Sequence, residues 1–146
     1  MITAIHKSLN AKREALGKDE KGFTLIELLV VVLIIGILTA IAVPVFLGQQ
    51  DQAKDAAAKS DIGVLKVALV SYATANSGTY TTTTANLSTY GFVASSGVTN
   101  HTITLGTAGV FCIQATSASG KTFALTNTAS AAAGTCGANG VFTAAT

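Results

Sequence analysis

Lys21-Gly22-Phe23-Thr24-Leu25-Ile26-Glu27-Leu28-Leu29 opens an apolar run that continues to Leu47, and the rest of the chain is arranged around it. From Leu28 to Leu47 there are twenty residues without a charge. A helix of that length covers about 30 Å, the hydrocarbon thickness of a bilayer. One carboxylate, Glu27, stands just inside the start of the run. A charged segment ending in Lys21-Gly22 lies directly before it.

The formal charge of +2 over 146 residues is informative only once it is divided at Gly22. The leader, residues 1–22, carries Lys7, Lys12, Arg13, Lys18 and Lys21 against Glu14, Asp19 and Glu20. The remainder carries equal numbers of acids and bases. Basic residues beside an apolar span stay cytoplasmic, so the leader is expected inside and the C-terminal part outside. Beyond Lys66 the only charged side chain is Lys121. Such a surface makes no electrostatic footprint for nucleic acid, and it opposes self-association only weakly.

Three processing routes fit an apolar stretch in this position. An ordinary secretory signal would be cut after it, and Ala40-Ile41-Ala42 offers a small-residue site. The run outlasts a usual signal core, however, and apolar residues continue from Val43 to Leu47. An uncleaved single-span anchor is the second route. The third is suggested by Gly22, Phe23 and Glu27 at their relative spacing ahead of the Leu/Val/Ile run. This arrangement resembles the prepilins that build type IV pili and related filaments.

The resemblance implies cleavage between Gly22 and Phe23 on the cytoplasmic face by a prepilin peptidase, which also methylates the new amino terminus at Phe23. The apolar helix is then kept in the product. The resemblance further implies that Glu27 engages the terminal amine of a neighbouring subunit during assembly. The expected partners are other copies of the chain in a helical homopolymer, the peptidase and methyltransferase, the membrane and the inner-membrane assembly machinery. The expected location is the cytoplasmic membrane for the precursor and an extracellular pilus or fimbrium afterwards, serving adhesion or motility. A pseudopilin of a type II secretion or DNA-uptake system fits the same motif, and a monomeric membrane-anchored surface domain is the reading from another class.

Glu27 also admits a plain reading, in which it lies near the interface and stays hydrated. Within the run, Gly36 and Ala40 form a small-x-x-x-small pair that permits close helix contact. Gly36 and Pro44 together bound a section prone to bend, since proline removes one helical hydrogen bond. The resemblance implies local loss of helix between them in a filament.

Past Leu47 the pattern becomes amphipathic. Ala58, Ile62, Leu65, Leu69 and Tyr72 fall on one helical face. Asp51, Lys54, Asp55, Lys59 and Lys66 are expected largely away from it. Asn76-Ser77-Gly78 should end the helix. The fold class is therefore α+β: one helix over about 24–75, its first half transmembrane, packed on a small antiparallel sheet of three to four strands. The segments are a leader (1–22), an assembly helix (23–47), its amphipathic continuation (48–76) and a β head (77–146).

In the head, residues 77–100 read as an irregular connection. Ile103 and Leu105, Phe111 and Ile113, and Phe123 and Leu125 mark three short strands by alternation. Val141 and Phe142 add a fourth or an edge contact. Gly134, Gly137 and Gly140 fit a loop. A head of this size gains little from its own core. Cys112 and Cys136, in an exported domain without a C-x-x-C motif, are first read as a disulfide, with free thiols or a metal pair as alternatives. In the resembled family a loop closed by such a disulfide is frequent.

The inventory for chemistry is short. His101 is the one histidine after the leader, and no carboxylate follows Asp61. No catalytic site, metal site or cofactor is expected, and His101 is expected at the surface near a strand start. The sequons Asn86-Leu87-Ser88 and Asn100-His101-Thr102 carry little weight among so many Ser and Thr residues.

Overall fold

The computed structural model describes residues 22–145, which divide into two units at Pro44 and Val45. Helix α1, Leu25–Ala75, begins in the first unit and ends in the second. By length and composition it is the one helix among the described residues able to cross a membrane.

In the first unit every described side chain is exposed. Leucine, isoleucine and valine occupy all sides of α1 rather than a stripe, the mark of a helix covered by lipid or by other apolar helices. The hydroxyl of Thr39 donates to the Ile35 carbonyl at 2.7 Å, so a polar side chain in this run is satisfied by its own helix. Pro44 lies inside α1 and has no N–H to offer the preceding turn.

The second unit is built on the other face pattern. Ala58, Ile62, Leu65, Ala68, Leu69 and Ala73 of α1 are buried. The helix stops at Ala75, where Asn76 donates its side-chain amide to the Tyr72 carbonyl at 2.8 Å and the Gly78 amide donates to Ala73 at 2.7 Å. Ser77 and Gly78 both take positive φ there, a left-handed stop favoured by glycine. A short 3-10 helix, Thr84–Tyr90, then buries Leu87 and sets Tyr90 edge-on to Tyr72 with ring centroids 5.5 Å apart.

Five antiparallel strands follow in simple order: β1 Thr99–Leu105, β2 Phe111–Thr116, β3 Thr122–Thr126, β4 Ala132–Cys136 and β5 Phe142–Ala144. Alternation puts Phe111, Ile113 and Ala115 of β2 with Phe123 and Leu125 of β3 into one core with Ile62, Leu65 and Leu69 of α1. The α+β class and the strand positions at 103–105, 111–113 and 123–125 agree with the sequence reading. The sheet has five strands rather than three or four, because β4 was not legible as a strand.

The reason lies in how β4 is used. Only Ala132 and Ala133 pair with β3, opposite Ala124 and Phe123. From Gly134 the strand pairs instead with β5, through Gly134↔Ala144, Thr135↔Thr143 and Cys136↔Phe142. Gly134 has φ +155, and a Cβ on it would strike the Thr143 carbonyl and the Phe142 ring. Glycine is thus required by close approach within a strand and not by a loop. Gly137 and Gly140 do lie in the turn, where a second short 3-10 segment runs from Ala138 to Gly140.

The β4–β5 hairpin covers the face of β2 opposite α1. Cys112 alternates to that face, yet it is fully buried. Its sulfur is bonded to Cys136, with Cα atoms 5.6 Å apart, and the Cys136 amide donates to Gln114 Oε1 at 2.6 Å. The hairpin tip reaches the β1–β2 turn, where a Cβ on Gly106 would collide with the Asn139 carbonyl. Of the readings open for the two cysteines, the structure has the disulfide.

Candidate functional site

The residues that open α1 form a closed hydrogen-bonded unit. Gly22, Phe23 and Thr24 precede the helix and have no regular structure. Thr24 is the N-cap residue and Glu27 occupies the third helical position. The Thr24 amide and hydroxyl both donate to Glu27 Oε2 at 2.8 Å, and the Glu27 amide donates back to Thr24 Oγ1 at 3.3 Å. This is the reciprocal capping box, in which two orphan donors of the first turn are satisfied by one threonine and one carboxylate. The pattern Thr24-Leu25-Ile26-Glu27 was readable in the sequence as S/T-x-x-E, a signal the assembly reading of Glu27 had overshadowed.

The Gly22–Phe23 peptide bond therefore lies outside the capped helix. Phe23 is 87% exposed, and a Cβ on Gly22 would meet nothing within 4 Å. Gly36, Ala40 and Pro44 all lie within α1 and are exposed, with open space around Gly36. The leader up to Lys21 falls outside the described residues.

The charged residues of the second unit depart from the sequence reading. Asp55 was expected on the outer face of α1 but is 7% exposed. It accepts a short hydrogen bond from the Ser119 hydroxyl, and Lys121 Nζ lies 3.1 Å from its other oxygen. Lys59 sits over the Phe123 ring, 4.8 Å from the centroid, a cation–π contact. Lys66 Nζ donates to the Thr126 and Asn127 carbonyls at 2.9 and 3.0 Å. These side chains reach around the helix to the β sheet, which a helical wheel drawn on Cα positions does not register.

His101 is a second correction. It stands on β1 with its side chain nearly buried, its Nε2 3.0 Å from Asp61 Oδ2 and its ring edge-on to Phe92 at 5.3 Å. Asp61 also accepts the Ser95 amide at 2.9 Å and the Ser95 hydroxyl at 2.6 Å. A histidine and an acid are thus brought together across 40 residues, which the inventory of the head alone had missed. Ser95 bonds to the acid and not to the imidazole, so the three do not form the nucleophile–base–acid order of a hydrolytic triad. Among the described residues no cluster of three or more His, Cys, Asp and Glu side chains could hold a metal.

Comparison with known proteins bears on the first of these two regions. The prokaryotic N-terminal methylation motif family matches residues 17–43, spanning the leader end, the Gly22–Phe23 bond and most of the apolar run. Over this segment the chain is similar to that motif family. The type II secretion system core protein G of Pseudomonas aeruginosa is 49% identical over 55 residues, which are 38% of this chain and 39% of that protein. The type IV major pilin protein PilA of Myxococcus xanthus is 50% identical over 52 residues, 36% of this chain and 24% of the pilin. The type IV narrow pilus major component PilA5 of Thermus thermophilus is 67% identical over 36 residues, 25% of this chain and 31% of that protein. The matched part of the chain spans about two fifths of the secretion protein's length and less of the two pilins.

Proposed function

We propose that the chain is the precursor of a structural subunit of a type IV pilus or pilus-like filament, assembled through its apolar N-terminal helix. One conjunction carries this reading: an exposed Gly22–Phe23 bond outside regular structure, a Glu27 that caps the helix start and an uncharged apolar run exposed on all sides meet within a single matched motif. A helix apolar all round needs lipid first and other apolar helices afterwards, and a filament core supplies the second.

In this reading a prepilin peptidase removes residues 1–22 and the amine of Phe23 is methylated. Glu27 then leaves its capping bond and pairs with the terminal amine of a neighbouring copy, which sets the axial register. Gly36, Ala40 and Pro44 allow the helix to bend or stretch as copies pack. The head stays outside the membrane and becomes the filament surface, where adhesion or motility would act. The role is structural, with no catalytic step. The similarity to type II secretion core protein G supports a second reading, a pseudopilin with the same processing and a short envelope-spanning filament.

Tandem mass spectrometry of protein sheared from intact cells tests the processing. The expected N-terminal peptide begins at Phe23 with one added methyl group. A peptide beginning at Val43, or an intact Met1 confined to membranes, would overturn it. Long surface filaments at native expression select the pilus, and their absence with processing intact selects the pseudopilus. For Glu27, Glu27→Ala is expected to insert in the membrane normally and to lose most filament yield. Normal filament numbers from that variant would remove Glu27 from assembly.

A further inference from the structure

Asp55 and Asp61 lie six residues apart on α1, and each holds a different segment of the second unit. Asp55 takes the Ser119 hydroxyl and Lys121 Nζ from the β2–β3 turn. Asp61 takes the Ser95 amide and hydroxyl from the loop before β1, and His101 from β1 itself. The two held segments also touch each other, since a Cβ on Gly97 would sit 3.3 Å from Ala118 Cβ. Tyr80 and the β1–β2 turn lie at the other end of the sheet, with Tyr80 5.3 Å from Phe111. Both carboxylates therefore act at one end of the unit, and both are buried, at 7% and 4% exposure.

We propose that this pair of buried carboxylates is an acid-releasable latch, which frees residues 91–97 and 117–121 together before the sheet unfolds. The geometry favours the ionised acids. Asp61 Oδ2 faces the Ser95 N–H and Asp55 Oδ2 faces the Lys121 ammonium, so a proton on either of these oxygens sets a donor against a donor. A proton on Oδ1 is met by turning the serine hydroxyl, but at Asp55 it removes the charge that faces Lys121. Release uncovers Phe92, whose ring packs on His101, beside the already exposed Val93. The opposite end is held without a carboxylate, by Lys66 of α1 on the Thr126 and Asn127 carbonyls and by the disulfide-linked hairpin.

The charged groups that bear on the latch are few. Lys121 faces Asp55 from the turn and His101 faces Asp61 from β1. On α1 itself, Lys54 is paired with Asp51 at 2.8 Å, Lys59 is turned to Phe123 and Lys66 to two carbonyls. Burial pushes Asp55 up, but the hydroxyls of Ser119 and Ser117 beside it and the Lys121 ammonium outweigh it and hold the carboxyl below its ordinary range. Burial likewise pushes Asp61 up, and bonds from Ser95 and His101 outweigh it. With both lowered in the folded chain, their stabilisation is complete above the unfolded carboxylate value of about 3.9. It is lost as pH falls through the lower folded values.

The test is amide hydrogen exchange on the full chain in detergent micelles, from neutral pH to about pH 3, corrected for intrinsic exchange. The Ser95 amide bonds directly to Asp61 and is the primary reporter. Between about pH 4 and about pH 3 it and the amides of 117–121 should lose several-fold of their protection, while Ile113 and Leu125 in β2 and β3 keep theirs. Asp61→Asn should show the Ser95 opening already at pH 7 and no further acid response there. Asp55→Asn should do the same for 117–121. If either variant fails to fold, the wild-type titration alone decides. Ser95 protection unchanged to about pH 3, or lost together with Ile113, would overturn the latch. Release already complete between about pH 7 and pH 5 would put the trigger on His101 and would equally overturn it.

Discussion

Two stretches of one helix, Leu25 to Leu47 and Ala58 to Ala73, are built from similar residues and meet opposite fates. In the first, leucine, isoleucine, valine and phenylalanine are all exposed. In the second, Ile62, Leu65 and Leu69 are fully buried under the sheet. The difference is that the second stretch has a head of its own chain to cover one face, while Val64, Val67 and Val70 remain exposed on the other. The first is apolar all round, and within its own chain the described residues offer it no cover. Its stability rests on apolar surroundings outside its own described residues, and that of the second on the chain itself.

The largest test of this contrast is a matched pair of truncations. Leu65→Ala should cost the head about 2–5 kcal/mol through lost burial and the cavity left behind. Leu33→Ala should change head stability by less than about 0.5 kcal/mol. Urea titrations of the full chain in micelles, followed by the near-ultraviolet signal of the tyrosines, compare the two. Equal losses would mean that the two stretches are not independent.

A smaller effect sharpens the same boundary from the head side. Cys112→Ser should cost about 2–4 kcal/mol, because the hairpin of β4 and β5 is held to β3 by only two residue pairs. Membrane insertion of the variant should be unchanged, as read by fractionation. The smallest effect is at the other end. Thr24→Ala removes the N-cap and should cost about 1 kcal/mol of local helix stability. Faster exchange of the first-turn amides, with head exchange unaltered, is the expected result. Altered head exchange would break the contrast.

How much could be read in advance differs from element to element. The helix and its end at Ala75 were legible because periodicity and a stop signal are local. The first three strands were legible from alternation at Ile103, Phe111 and Phe123. β4 was not, because Ala132-Ala133-Gly134-Thr135-Cys136 has no apolar alternation. It is held by a disulfide, by the Gln114 side chain and by a glycine that lets β5 approach. Of the N-terminal residues, Gly22, Phe23 and Glu27 stood out by spacing. Thr24 was missed although its capping pattern is also local.

The burial of Asp55, Asp61 and His101 had no local signal at all. Each is a polar residue whose partner lies 34 to 66 positions away, at Ser95, Asp61 or Lys121. A buried charge is tolerated only where such partners converge, and no pattern along the chain reports that convergence.

By itself, then, the sequence determined a long helix, its membrane-length apolar run, the motif at its start and a small β head containing both cysteines. These depend on composition and on spacings within a few turns. Only the tertiary structure decided which charges are buried, that the last hairpin covers the back of β2, and that two carboxylates hold one end of the sheet to the helix. Those features depend on groups far apart in the chain meeting where water is excluded, and there a hydrogen bond left unmade costs more than anywhere else.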